Sequence, residues 1–232
     1  MSYHYRSTNE AYYDQLEENN LDPSHAVELA RRAAQAFRQV YDFDEDKTVV
    51  MDFACGVGLL SQELISSSKS IVGIDISKRM VDEYNHRAEN QGLSVNEMHA
   101  LRVDILNPGH TVLQDLDGSF DVIVCSASYH HLDDIVATTR ALFKFLKPGG
   151  TLLIMDLLKD DSLKVGEVFP EHGEHNIVAH RGGFAQHQIE EAFSAAGFSS
   201  FAFKDGVKAK KKGHPVTLFI ARGLKPGVAS HS

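Results

Sequence analysis

The chain has 232 residues, 43% of them hydrophobic and 24% charged, with a formal net charge of −9 and two cysteines. That length suits one well-packed core rather than two domains and a linker. The negative balance argues against a general nucleic-acid binder, because affinity for phosphate backbones comes largely from Lys and Arg. Two cysteines are too few for a disulfide framework, and no apolar run approaches the roughly 20 residues that span a bilayer. The polar, acidic N-terminus resembles neither a signal nor a transit peptide, so a cytoplasmic protein is expected.

Two helices are expected before residue 47. The second has Asp22 as N-cap and Pro23 at the first helical position, with Val27, Ala30, Ala34, Phe37 and Val40 on one face. From Lys47 short apolar runs alternate with helical periods, which predicts parallel strands joined by crossover helices. The first run, TVVMDFA, ends in a glycine-containing loop, and a helix follows. SIVGIDI is the second strand. A helix capped by Ser77 then carries Met80, Val81, Tyr84 and Ala88 on one face and stops at Gly92.

Met98–Ile105 reads as a third strand and FDVIVCS as a fourth. The helix expected from Asp133 repeats Ile135, Val136, Thr139, Leu142, Phe143 and Leu146, and Pro148-Gly149-Gly150 stops it. TLLIMDLL is a fifth strand. Lys159 to Arg181 has little pattern and reads as a long loop or small lid. A helix ending at Gly197 precedes FSSFAFKDG and PVTLFIARG, two strands joined so closely that they must be antiparallel. KAKKK, Lys208 to Lys212, is expected as the solvated turn between them. The resulting expectation is an α/β, doubly wound, mostly parallel seven-stranded sheet with an antiparallel C-terminal strand and helices on both faces. It comprises an N-terminal helical cap (1–46), the sheet domain (47–223) and a tail without order (224–232).

Ligands of open α/β sheets bind at the carboxyl ends of the strands. Those ends carry Asp52 to Gly58, Asp75, Asp104, Ser126 to His131, and Asp156. Nucleosides present ribose hydroxyls and an exocyclic amine, for which carboxylates are suitable acceptors. A glycine loop with a carboxylate about 20 residues further on, here Asp75, specifies a nucleoside but does not distinguish nicotinamide cofactors from others.

The combination of DFACGVG, IVGIDIS, RVDIL, FDVIVCSASYHHL and LKPGGTLLIMD resembles the class I S-adenosylmethionine-dependent methyltransferases. It most resembles their small-molecule branch, which includes the ubiquinone/menaquinone C-methyltransferases; the likeness covers roughly Thr48 to Gly223. It implies that the backbone of Ala54, Cys55 and Gly56 approaches the methionine end of S-adenosyl-L-methionine, and that Asp52 faces its ammonium. Asp75 would hold the ribose diol, with Ile76 beside the adenine. Asp104 would receive the adenine amine, Ile105 would touch the ring, and Ser126 would line the methionine side. Tyr12 and Tyr13 are candidate lid residues. Ala54 replaces the first glycine of the usual pattern, which is tolerable unless that backbone needs positive φ.

Methyl transfer from a sulfonium needs a base only when the attacking atom starts protonated. His130 and His131, directly after the fourth strand, are the candidates, and the alternative is that they only hold the loop. His180, Arg181 and Phe184 are candidate substrate residues. His172, His175, His180 and His187 match no compact metal-ligand spacing, so no metal is expected. Adenine- and glutamine-amide methyltransferases carry an Asn/Asp-Pro-Pro-aromatic motif where this chain has SASYHH, which points to a small-molecule acceptor. Two alternatives stand beside this reading: an NAD(P)-dependent oxidoreductase, and a non-catalytic S-adenosylmethionine-binding subunit. The atom methylated and the oligomeric state are not specified by the residues.

Overall fold

The computed structural model describes residues 3–18, 21, 23–107, 112–168, 177–211 and 213–227. In chain order the elements are α1 (Tyr3–Asp14), α2 (Ser24–Arg38), β1 (Val49–Phe53), α3 (Leu59–Leu64), β2 (Ser70–Asp75), α4 (Lys78–Asn90), β3 (Met98–Arg102) and α5 (Val112–Leu116). There follow β4 (Phe120–Ser126), α6 (Ile135–Phe145), β5 (Leu146–Leu157), α7 (Val165–Val168), α8 (Gln186–Ala196), β6 (Ser199–Lys211) and β7 (His214–Leu224).

The strands form one seven-stranded sheet in the order β3-β2-β1-β4-β5-β7-β6. The first five pair in parallel, while β7 runs antiparallel to both β5 and β6. The doubly wound sheet is therefore as expected. Strand order reverses between β1 and β4, and a crevice opens there at the carboxyl ends of the two strands.

Alternation along β1 divides the core. Met51 and Phe53 pack with Leu142 and Phe145 of α6 and with Ile189 and Phe193 of α8. Val50 faces the other way, against Ala33, Ala34 and Phe37 of α2 and Leu60 and Leu64 of α3. Period two in a strand sends neighbouring side chains to opposite faces, so a nearly continuous apolar run serves a sheet covered on both sides. The apolar face of α4 is buried as its period predicts: Met80, Val81, Tyr84 and Ala88. Ser77 caps that helix, its side chain accepting the Met80 N–H at 3.2 Å.

Several boundaries differ from expectation. Helix α1 lies across the strand ends, while α2 is mainly a layer of the sandwich, held by its Ala and Phe stripe and by Arg32 donating to the Lys208 carbonyl at 2.9 Å. The helix start expected at Asp133 is capped by Asp134, whose Oδ1 accepts the Ala137 N–H at 2.8 Å. Asp22 lies outside the described residues, and Pro23 is the N-cap itself. Lys208 to Lys211 are not a turn but the end of β6, paired with Thr217 to His214 of β7. Lysines on an edge strand discourage pairing with another chain.

The tail expected without order from residue 224 is held as far as Lys225. Its N–H donates to the Gly150 carbonyl at 2.8 Å, and its ammonium donates to the carbonyls of Phe143 and Leu146. The cation thereby satisfies carbonyls that the C-terminus of α6 leaves without helical partners. Among the described residues no helix is long and apolar enough to cross a membrane.

Candidate cofactor and acceptor site

The loop after β1 turns through three left-handed positions, Ala54 (φ 56), Gly56 (φ 52) and Gly58 (φ 83). Two backbone bonds hold it, Cys55 N–H to the Ile74 carbonyl and Gly58 N–H to the Cys55 carbonyl. Ala54 thus occupies the conformation in which a side chain is strained, the circumstance under which replacing glycine costs energy. A residue other than glycine pays roughly 1–2 kcal/mol there, partly offset by glycine's greater entropy when unfolded. Ala54→Gly is accordingly expected to raise thermal stability by up to about 1 kcal/mol, roughly 2–4 °C in a domain of this size. A fall in Tm on thermal denaturation would contradict this assignment of strain.

Asp52 is buried beneath the loop and accepts the Ser61 hydroxyl at 2.7 Å. Burial pushes its pKa up to about 7, against the Ser61 hydrogen bond and with a smaller contribution from Asp75. Asp75, at the end of β2, accepts the N–H of Gly56 and of Ser77, each at 2.9 Å. Burial raises its pKa too, and these two donors oppose the rise. The carboxylates expected at strand ends are therefore real neighbours of one loop.

Two adjoining cavities lie over the strand ends. The first, of about 210 Å³, is bounded by Asp75, Ile76, Asp104 and Ile105 on the sheet side and by Arg6, Asn9 and Tyr13 of α1 above. The second, of about 610 Å³, is bounded by Asp52, Cys55, Ser126 and His130 and, from the N-terminal segment, Tyr12, Leu16, Leu21 and Leu29. Ala54, Gly56, Met80, Tyr13 and His131 belong to both. The expected cofactor residues thus all line these cavities, as do Tyr12 and Tyr13.

Helix α1 is fastened across the opening by polar bonds at each turn. Arg6 pairs with Asp104 at 2.7 Å, Glu10 with Arg102, and Asp14 accepts the Ser77 hydroxyl at 2.6 Å. Between them Tyr13 is half-buried, and desolvation together with the nearby Asp75 charge drives its pKa far upward and keeps the phenol neutral.

The two histidines after β4 are held differently. His130 Nδ1 lies 2.8 and 3.1 Å from the two carboxylate oxygens of Asp156, and its backbone N–H donates to the same group at 3.1 Å. Asp156 is 1% exposed. Burial opposes its ionisation, but the His130 ring's charge and hydrogen bond, with the Leu157 N–H, outweigh that and leave its pKa below the usual range. An ionised carboxylate can only accept, so Nδ1–H points to Asp156 and Nε2 is the ring nitrogen turned away from it. His131 donates Nδ1–H to the Ile177 carbonyl at 2.7 Å, and its Nε2 faces the Tyr13 hydroxyl at 3.4 Å.

The substrate candidates separate. Phe184 is wholly buried in the apolar core, paired through its backbone with Leu158, and lines neither cavity. Arg181 is exposed and lines neither cavity. The His180 ring lies 4.6 Å from that of Phe184, burial lowers its pKa, and it also lines neither cavity. The loop's chamber residues are instead Ile177 and Val178. His172 and His175 lie outside the described residues, among which no group of three or more His, Cys, Asp or Glu is placed to hold a metal. Cys55 and Cys125 are buried thiols whose pKa burial raises. Missed from the sequence were Asp156 as the partner of His130, and Arg6 and Asn9 as cavity walls. The spacing of residues 6, 9 and 13 along one helix face was the available signal.

Residues 25–200 match the model of a methyltransferase domain. An uncharacterised methyltransferase of Schizosaccharomyces pombe is 38% identical over 159 residues, 65% of this chain and 53% of that protein. The ubiquinone biosynthesis O-methyltransferase of Idiomarina loihiensis is 31% identical over 53% of this chain and 48% of its own. The chain thus spans about half the length of these curated relatives. Among solved structures, geranyl diphosphate C-methyltransferase from Streptomyces coelicolor superposes with a TM-score of 0.71 over 96% of this chain and 98% of that one, at 11% identity, a likeness of fold.

Proposed function

Because this chain belongs to the methyltransferase-domain family, we propose that it is an S-adenosyl-L-methionine-dependent methyltransferase acting on a small-molecule acceptor. The observation that carries the reading is the pair of cavities meeting at the Ala54–Gly56 backbone. The first would take the nucleoside, with Asp75 holding the ribose hydroxyls and Asp104 the adenine amine. The methionine end and the acceptor would share the second, with Asp52 the carboxylate that would face the ammonium. A nicotinamide-dependent oxidoreductase loses its support with the family match.

Bound there, the cofactor supplies a methyl group on a positively charged sulfur, activated for in-line displacement. The chain's work is to align the acceptor with that methyl group and to keep water out, which α1 and its polar fastenings do from above. His130 takes the proton of the acceptor on Nε2, and Asp156 stabilises the imidazolium that results. His131, engaged at both nitrogens, positions Tyr13 and the Ile177 segment and is not the base.

Calorimetric titration with S-adenosylhomocysteine tests the site. An ammonium-bearing ligand prefers ionised Asp52, whose pKa stands at about 7. Affinity is therefore expected to rise as pH climbs through about 7 and then level off, and Asp52→Asn should weaken binding and flatten the curve. No binding at any pH would end the proposal. Binding without radiolabelled methyl transfer into a metabolite extract would favour the non-catalytic subunit.

A further inference from the structure

A residue in the wall of the first cavity carries an acceptor left unsatisfied among the described residues. Asn9 is 5% exposed and lines that cavity. Its amide nitrogen donates to the Tyr5 carbonyl at 2.8 Å and to the Ile177 carbonyl at 2.9 Å. Two carbonyl partners fix which end of the amide is nitrogen, because only the NH₂ end can donate to both. The carbonyl end, Oδ1, is buried and has no hydrogen-bond partner among the described residues. A buried acceptor left so costs roughly 1–3 kcal/mol unless a ligand satisfies it.

The donors of an S-adenosyl ligand can be matched one by one. The ribose diol falls to Asp75 and the ammonium to Asp52. The adenine amine offers two N–H groups, of which Asp104 takes one. Asp104 can do so while bonded to Arg6 and to the Leu106 N–H, since each carboxylate oxygen has two acceptor sites. The second N–H needs an acceptor of its own. Asn9 lies one helical turn from Arg6 on the same face of α1, and so on the side where Asp104 places the amine.

Resting on the cofactor reading above, we infer that Asn9 is a nucleobase-binding residue whose Oδ1 accepts the second N–H of the adenine amine. Helix α1 is then a reading element of the site as well as its cover. It completes an acceptor pair, Asp104 below and Asn9 above, that distinguishes a 6-amino purine from a 6-oxo purine.

The test is calorimetric titration of S-adenosylhomocysteine and of its hypoxanthine counterpart, in which the 6-amino group is replaced by oxygen. The full chain is compared with Asn9→Ala and with Glu10→Ala, which cuts the fastening to Arg102 outside the cavity. Asn9→Ala is expected to weaken the adenine ligand about tenfold and the hypoxanthine ligand much less, so that discrimination narrows by that factor. Glu10→Ala is expected to move both ligands equally. Equal weakening of both by Asn9→Ala would reduce Asn9 to a fastening of α1 and overturn the inference. Failure of the unaltered chain to bind either ligand would instead refute the cofactor reading.

Discussion

Replacing Asp156 by Asn is expected to lower kcat by about 10²- to 10⁴-fold, while affinity for S-adenosylhomocysteine stays within about twofold. The carboxylate accepts His130 Nδ1–H together with the N–H groups of His130 and Leu157. An amide in its place can turn a donor toward Nδ1, which moves the ring proton to Nε2 and removes the base; general-base catalysis contributes on the order of 10²–10⁴-fold. Asp156 is buried, so the exchange also costs stability. His130→Gln, on a half-buried ring, separates the two effects. Both variants should show a rate that climbs with pH as the acceptor ionises by itself. Turnover and pH profile matching the unaltered chain in His130→Gln would mean that the histidine only holds the loop.

Gly58→Ala is expected to cost about 2–4 kcal/mol, from left-handed strain and overpacking together. At φ 83, its new Cβ would sit 2.6 Å from Tyr84 Cδ2 and 2.8 Å from Cε2, atoms of a ring with no exposure. Tyr84 supports the turn from beneath and cannot retreat. At Gly56 the result should invert. A Cβ there meets nothing within 4 Å, but the residue lines both cavities. Gly56→Ala should lose about 1 kcal/mol of stability and proportionally far more cofactor affinity. Chemical denaturation beside titration reads both quantities. Equal stability losses at the two glycines would show that Tyr84 is not the obstacle.

The legible part of the site was the part written in single strands. Asp52, Asp75 and Asp104 each stand where an apolar run stops, and a run's end can be read without knowing its neighbours. Asp156 stood in the same list, yet its pairing with His130 depends on β4 and β5 lying side by side. Phe184 shows the converse: just after a patternless stretch an aromatic ring suggests a pocket wall, whereas the Leu158–Phe184 bridge turns it into the core. Ala54 lay between these cases, since the residue was conspicuous but its φ was not written.

Periodicity and punctuation by themselves determined the number and order of strands, the parallel character of the first five and the antiparallel return of the last pair. Those features follow from local backbone preference and from burial on two faces, both of which act residue by residue along the chain. Only the tertiary structure decided that α1 lies over the strand ends while α2 packs mainly against the sheet, that His130 is held by Asp156 and His131 by the Ile177 carbonyl, and that Asn9, with an acceptor unsatisfied among the described residues, lines the first cavity. Each of these depends on a hydrogen bond or a packing face between segments distant in sequence, including the 168-residue separation between Asn9 and Ile177. Such partners are selected by the energy of the whole folded arrangement, and no local pattern encodes them.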